Sequence, residues 1–341
     1  MASMDIFAAD GFSAMSMTAA LNNQPFLPTL LGDMHLFEPK PITTEVAAIE
    51  QIDGTLGLIQ TDKRGAPPAA RGTDKRTVRN LNTVRIAKQD TVRASEIQSI
   101  RAFGSESELM QVQTLVARKQ TAMLRDVALT HEHHRLGAIQ GIVLDANGDT
   151  IVNLYTEFGV SQAAEIDFDL DNASPASGAV RKKCAAVVRA MLRASKGAWV
   201  TGQTRVAALC GDAFWDDLIA HPEIRETYLG QQEAAALRGA AAWETLDYGG
   251  ITFTNYRGTD DNSTVAIGTD KCRFFPVGAV DVFEVALSPA ESFDFVNTPG
   301  LPVYGWQVPD RDRNMYVDLE VYSYPLFYCT KPAMLQRAKR T

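Results

Sequence analysis

Cysteine is scarce in this chain: Cys184, Cys210, Cys272 and Cys329 lie far apart, and no two form a C-x-x-C pair. That spacing argues against a disulfide framework and for buried free thiols of a reducing compartment. Basic charge is also short, with 33 Lys and Arg against 41 Asp and Glu and a net charge of -8, which disfavours a general grip on nucleic acid. No stretch reaches the eighteen or so apolar residues of a membrane span, and the opening MASMDIFAADGFSAM has neither a basic region nor a sustained apolar run. These absences describe a protein made and kept in the cytoplasm. Three catalytic signatures are missing as well: G-x-x-x-x-G-K-[ST], G-x-S-x-G, and G-x-G-x-x-G after a strand.

Breakers are absent from one long segment, and the chain is organised around it. From Ser105 to Leu136 there is no proline or glycine, so the backbone chemistry allows an uninterrupted helix over 106–136, roughly 45 Å long. Ser105 and Glu108 have the spacing of a capping box, and Gly137 supplies the expected stop. Leu109, Val112, Val116, Met123 and Val127 recur at helical spacing, whereas Lys119, Gln120 and Thr121 interrupt the stripe. One face is expected half-buried and the other wet, and the heptad is too broken for a coiled coil.

With 341 residues, 45% of them hydrophobic, the chain can bury a large core in two domains or in one with extended appendages. Residues 1–45 show isolated apolar pairs broken by Pro28, Pro39 and Pro41, the composition of a docking arm. Within 46–100, Thr55 to Gln60 and Thr77 to Ile86 read as two strands of a long hairpin, joined by a connection rich in glycine and proline. Between Gln60 and Arg93 nine Lys or Arg face three Asp, a local excess of +6 that calls for an acidic counterpart. The hairpin has too few apolar residues to bury itself on its own chain, so packing on another copy is expected, with Lys63, Arg64, Arg71, Lys75, Arg76, Arg79 and Arg85 as inter-subunit contacts. It lacks interleaved aromatics and matches no groove-reading motif.

After the helix, Ile142 to Leu144 and Thr150 to Tyr155 flank a turn on Asn147 and Gly148. Asp145, Asn147 and Asp149 alternate like a calcium loop, but the closing glutamate is missing, because Thr156 stands there. From 163 to 298 helices and strands alternate. Helices are expected at Ser177 to Lys196 and Asp212 to Ala220, and strands at Arg205 to Cys210, Ile251 to Tyr256, Val265 to Ile267, Cys272 to Val277 and Val282 to Leu287. A closing strand over Tyr316 to Cys329 is expected to pair with the ribbon beside the long helix.

Two clusters hold the only candidate chemistry. His131, Glu132, His133 and His134 fall one residue short of H-E-x-x-H, because position 135 is Arg. They read as the wet last turn of the helix, where partly cationic side chains suit the dipole. A cytoplasmic metal-dependent enzyme using His131 and His134 is the rival reading. Asp212, Asp216, Asp217 and His221 could be drawn as an acid/base set, but carboxylates in the first turns of a helix need no catalytic role. No catalytic residue, cofactor or metal is therefore assigned.

The order of these elements, together with the wording of Ala138 to Gly159 (AIQGIVLDANGDTIVNLYTEFG), Cys210 to Tyr228 (CGDAFWDDLIAHPEIRETY) and Tyr324 to Arg340 (YPLFYCTKPAMLQRAKR), resembles the lambda-type major capsid proteins of tailed bacteriophages over nearly the whole chain. The resemblance implies an α+β fold of the tailed-phage and herpesvirus major capsid type. Its parts would be an N-terminal arm (1–45), an extended loop (46–100), a peripheral domain with the spine helix (101–162 and 299–341) and an axial domain (163–298). It also implies a non-enzymatic virion protein that self-assembles as hexamers and pentamers into an icosahedral head in the host cytoplasm. Expected partners are scaffold, portal and decoration proteins, with double-stranded DNA enclosed without sequence-specific binding and no membrane.

Overall fold

The computed structural model describes residues 30–53, 75–99, 108–172, 174–229, 245–256, 258–259 and 265–341. In chain order the elements are α1 (Leu30–Asp33), β1 (Glu38–Pro41), β2 (Val46–Asp53), β3 (Lys75–Asn82), β4 (Ile86–Arg93), α2 (Ala94–Ser99), α3 (Glu108–Gln140), β5 (Ile142–Leu144), β6 (Thr150–Asn153) and α4 (Leu154–Glu157). There follow β7 (Ile166–Asp167), α5 (Ala179–Ala194), β8 (Arg205–Cys210), α6 (Asp212–Ala220), α7 (Pro222–Leu229), β9 (Thr245–Tyr248), β10 (Ile251–Asn255), β11 (Lys271–Val277), β12 (Phe283–Leu287), β13 (Tyr304–Pro309), β14 (Tyr316–Ser323), β15 (Pro325–Cys329) and β16 (Gln336–Lys339).

Helix α3 runs 33 residues, about 50 Å, as the lack of breakers requires. Its stop is not Gly137 but Gly141, which takes φ +82. Gly137 lies inside the helix for a packing reason: a Cβ there would come within 2.9 Å of the Ile142 carbonyl oxygen and the Val143 Cα, so β5 could not fold back so closely. Val116, Met123 and Val127 are buried as their spacing predicts. The polar turn is less wet than expected. Lys119 Nζ reaches Asp90 (3.1 Å) and Glu96 (3.2 Å) and donates to the Thr91 carbonyl (2.6 Å), and Gln120 is buried. Ser105 lies outside the described residues.

The N-terminal half of α3 packs on the sheet β13-β14-β4 through Val92, Val116, Met123, Val127, Val317 and Leu319. Its C-terminal half, through Leu136, Ala138 and Ile139, enters a second core with β12 and β15, which form the sheet β1-β12-β15. Strand β1 carries Pro39 and Pro41 on the free edge of that sheet, where a missing amide costs no ladder bond, and it pairs in parallel with β12. The third core lies between α5, α6 and one face of the six-stranded sheet β7-β16-β11-β8-β10-β9. The period of two sorts that sheet: Val206, Ala208 and Cys210 face the helices, while Leu209 and Phe275 face the α3 core. Glu223 of α7 accepts the free amides of Val180 (3.0 Å) and Arg181 (3.1 Å), and so caps α5 from outside it.

Several expected strands fall elsewhere. Thr77 to Ile86 is not one strand, because the chain leaves β3 at Asn82 and enters a different sheet at Ile86; Thr83 donates to the Glu45 carbonyl and Val84 to that of Pro325. β3 pairs with β2 over Val46–Asp53, and Thr55 to Gln60 lies outside the described residues. Tyr316 to Cys329 splits at Tyr324. The half-buried alternation of β14 gives way after it to β15, buried on both faces. Neither strand pairs with the ribbon: β14 joins β4 and β13, β15 joins β12, and β5 and β6 pair only with each other. Val265 to Ile267 is loop. β12 (Phe283–Leu287) lies in the sheet β1-β12-β15 beside α3, whereas β16 (Gln336–Lys339) is an inner strand of the six-stranded sheet.

Candidate functional site

The hairpin β2–β3 is rooted in its own chain. Ala47, Ile49 and Leu81 are buried in the α3 core, contrary to the expectation that the hairpin lacks apolar residues to bury there; the alternation of β2 and β3 puts just enough of them on one face at the base. Val78, 60% exposed, points the other way. The basic residues divide along the hairpin. Arg79 donates from Nη1 to the Glu157 carbonyl and lies 5.3 Å from the Phe158 ring, so it clamps β3 onto α4 of the same chain. Arg85 lies 3.6 Å from Glu291 and 5.0 Å over the Tyr322 ring. Arg76 meets Glu50 at 3.3 Å with both side chains well exposed, a contact worth little by itself. Lys75 opens β3, and Lys63, Arg64 and Arg71 lie outside the described residues. Three of the seven expected contacts thus have partners within the chain, Arg79 and Arg85 closely and Arg76 only through an exposed pair.

Exposed apolar side chains mark two further surfaces. Phe293 is fully exposed and Val296 is 56% exposed on the one-turn helix after β12. That turn is held firmly: Ser292 Oγ accepts the Asp294 amide (3.3 Å), and Phe295 packs inward edge-on against Tyr304 (4.9 Å) and Trp306 (6.1 Å). At the end of the β13–β14 hairpin, Val308, Met315 and Tyr316 are also exposed. The connecting turn is organised by the Asp310 carboxylate, which accepts from the amides of Asp312 (3.2 Å), Arg313 (3.2 Å) and Met315 (3.4 Å).

The histidine cluster is buried rather than wet. His131 and His134 are 4% and 2% exposed, their rings stand edge-on to Phe327 at 5.5 Å and 6.5 Å, and His131 Nε2 lies 3.0 Å from Ser323 Oγ. α3 runs on past them to Gln140, so they do not occupy its last turn, and they face β15. Burial first, with the Arg135 charge and then His134 behind it, holds His131 down at about 3. Burial, with His133 adding to it against the pull of Asp145, holds His134 at about 4. Both rings are neutral, so the expected favourable charge at the helix end is absent.

Glu132, 3% exposed, is the polar hub of this region. It accepts from the Leu31 amide (2.8 Å), from Arg135 Nη1 (3.3 Å) and from the Tyr256 hydroxyl (3.4 Å), which ties α1, α3 and the end of β10 together. Sequence reasoning missed it, although a glutamate flanked by histidines on the apolar side of a helix is a signal for a buried polar contact. Replacing Glu132 by Ala strands a buried amide and a buried hydroxyl and leaves Arg135 unpaired. The expected loss is about 3 kcal/mol in chemical denaturation of the free subunit, and a change under about 1 kcal/mol would refute the hub.

Among the described residues no group of three or more His, Cys, Asp or Glu side chains is placed to hold a metal ion. Asp217 pairs with Arg340 at 2.9 Å, and His221 Nδ1 accepts the Glu223 amide (3.3 Å), so that set is tied into local structure. No helix among the described residues is long and apolar enough to cross a membrane. The described residues thus present a rooted hairpin, a firmly held turn with exposed apolar side chains and a long internal strut.

A family model for phage major capsid protein E matches residues 13–340. The chain belongs to that family. It is similar to the major capsid protein of Salmonella phage Felix O1, with 26% identity over 355 residues covering 95% of each chain. It is likewise similar to the major capsid protein of Pseudomonas phage KPP10, with 26% identity covering 88% of this chain and 89% of the relative. The fold matches the capsid protein of Cyanophage P-SCSP1u at TM-score 0.53 and 8% identity, covering 94% and 90% of the two chains. It also matches a putative capsid protein of a prophage of E. coli CFT073 at TM-score 0.53 and 12% identity, covering 99% and 97%. The resemblance read from the element order and wording is borne out, and the α+β capsid fold with it. In this major capsid protein the histidines of α3 serve the interior of a structural fold.

Proposed function

We propose that this chain is the shell subunit of a phage head, self-assembling as hexamers and pentamers into an icosahedral particle around double-stranded DNA, and that it is not an enzyme. The observation that carries this is the family match across 13–340, nearly the full chain. The residues divide by task in this reading. The six-stranded sheet with α5, α6 and α7 forms the axial part near the local symmetry axis, and α3 with β4, β13 and β14 forms the peripheral part. Residues 46–100 form the extended loop, whose last strand β4 docks onto the peripheral sheet, and 1–45 the arm. The shell resides in the virion and assembles in the host cytoplasm with scaffold, portal and decoration proteins. The net charge of -8 suits a container that must not trap its DNA while it is being filled.

The loop contacts are assigned to the basic residues Lys63, Arg64, Arg71 and Lys75, joined by Arg76. Arg79 and Arg85 serve their own chain. Negative-stain electron microscopy and sedimentation of the purified full-length protein should show closed shells, rings or tubes. Replacing Lys63, Arg64 and Arg71 together by glutamate should leave subunits folded with an unchanged unfolding midpoint while closed particles are lost. Normal particles from that triple variant at moderate salt would refute the charge pairing. A small uniform oligomer that retains stoichiometric metal would overturn the shell reading and favour the rival enzyme.

A further inference from the structure

Strands β11 and β16 place four cations on one face of the six-stranded sheet. Their antiparallel register sets Lys271 opposite Lys339 and Arg273 opposite Arg337. The Arg340 amide donates to the Asp270 carbonyl (2.8 Å), which makes 340 and 270 a hydrogen-bonded pair. By alternation, Arg273 and Arg337 form a non-hydrogen-bonded pair, the kind in which side chains stand closer. Like charges directly opposite in such a pair destabilise a sheet unless something neutralises them.

The lysines are neutralised within the chain. Lys271 Nζ lies 3.1 Å from Glu165 and 3.2 Å from Asp270, and Lys339 Nζ lies 3.6 Å from Asp167. The arginines are not. Among the described residues neither makes an ion pair; Arg337 donates from Nε to the Ala163 carbonyl (2.8 Å), and Arg273 Nε is buried without a hydrogen-bond partner. Burial lowers the Arg273 guanidinium from its ordinary value, against the pull of Glu165 and with Arg337 adding to the shift. A half-buried guanidinium with an unpartnered Nε, as at Arg273, is costly, and a second guanidinium directly opposite adds repulsion.

We infer that Arg273 and Arg337 together form a receptor for an oxyanion, a phosphate ion or a carboxylate presented by a second copy of the chain. Two planar forks on adjacent strands suit the paired oxygens of either group, and the anion relieves the repulsion between the strands as it binds. The flanking lysines are already matched by Glu165, Asp270 and Asp167, so the two guanidiniums alone carry the binding. The receptor lies on the pairing of β11 with β16, so its occupancy bears on how firmly β16 is held.

The test is thermal unfolding of the full-length subunit in increasing inorganic phosphate, against chloride at matched ionic strength. Phosphate should raise the wild-type midpoint by about 3 °C beyond chloride. The shift should vanish in Arg337→Met, which keeps a long side chain, and should shrink in the double variant with lysine at both positions, which keeps the charge and loses the fork. No shift in the wild type, or the same shift in Arg337→Met, overturns the receptor. The subunit measurement does not depend on assembly. A second arm, which rests on the shell reading, repeats it on purified particles. A phosphate shift lost on assembly identifies a carboxylate from a neighbouring copy as the occupant, and a shift kept in particles identifies the free ion; either supports the receptor.

Discussion

Acidification from pH 6 to pH 4 should destabilise the free subunit by on the order of 2 kcal/mol per pH unit through His131 and His134 alone, about half from each. Both rings are buried against Phe327 and stay neutral in the fold, with values held at about 3 and about 4 against an ordinary 6.5. The unfolded chain takes up both protons as pH falls through 6.5, and the folded chain does not. Stability from this source is therefore complete above 6.5, falls as pH falls below it, and stops falling near 4 for His134 and near 3 for His131. Carboxylates contribute acid sensitivity of their own, so the slope is compared between proteins. Denaturant midpoints at pH 7, 6, 5 and 4 should give a much flatter dependence for the His131→Asn, His134→Gln double variant. Parallel curves for the two proteins would mean that the rings are protonated in the fold.

Phe274→Ala should cost about 4 kcal/mol, against about 1 kcal/mol for Phe274→Leu. Phe274 has no exposed surface; it stacks on Phe168 at 5.8 Å and meets Phe253 edge-on at 6.0 Å, on a strand bonded to neighbours on both sides. Truncation opens a cavity between sheet and helices that backbone ladders on either side prevent from collapsing. Chemical denaturation of the free subunit measures it, and a cost below about 2 kcal/mol would show that the helices α5 and α6 can close the gap.

What was legible in the sequence was local. The absence of breakers fixed α3 to within a few residues, the Asn147–Gly148 turn and its ribbon were readable from turn chemistry, and Asp212–Ala220 was bounded correctly by its first aspartate and the following His221–Pro222. The errors arose where a distant contact decided the outcome. Gly137 reads as a stop by its own chemistry, but β5 needs it for close approach and the stop passes to Gly141 under the Tyr155 ring. The histidines read as polar because their cover, Phe327 and Ser323, lies nearly 200 residues away. Thr77 to Ile86 and Tyr316 to Cys329 each carry continuous strand character, and only the partners Glu45, Pro325 and the sheet of β12 show where the chain changes sheets. Among the site residues, the charge excess of the loop was visible, but which arginines stay on their own chain was not: Arg79 finds Phe158 only once the hairpin folds back on α4. The capsid reading itself came from order and wording over long segments, because the chain has no catalytic signature to read.

The position of β16 between β7 and β11 has a consequence for timing during synthesis. Residues 336–339 complete the interior of a sheet whose other strands begin at residue 166, so no ribosome-bound chain that lacks them can close that sheet or cover Phe274. The six-stranded sheet therefore closes only after translation has passed residue 339.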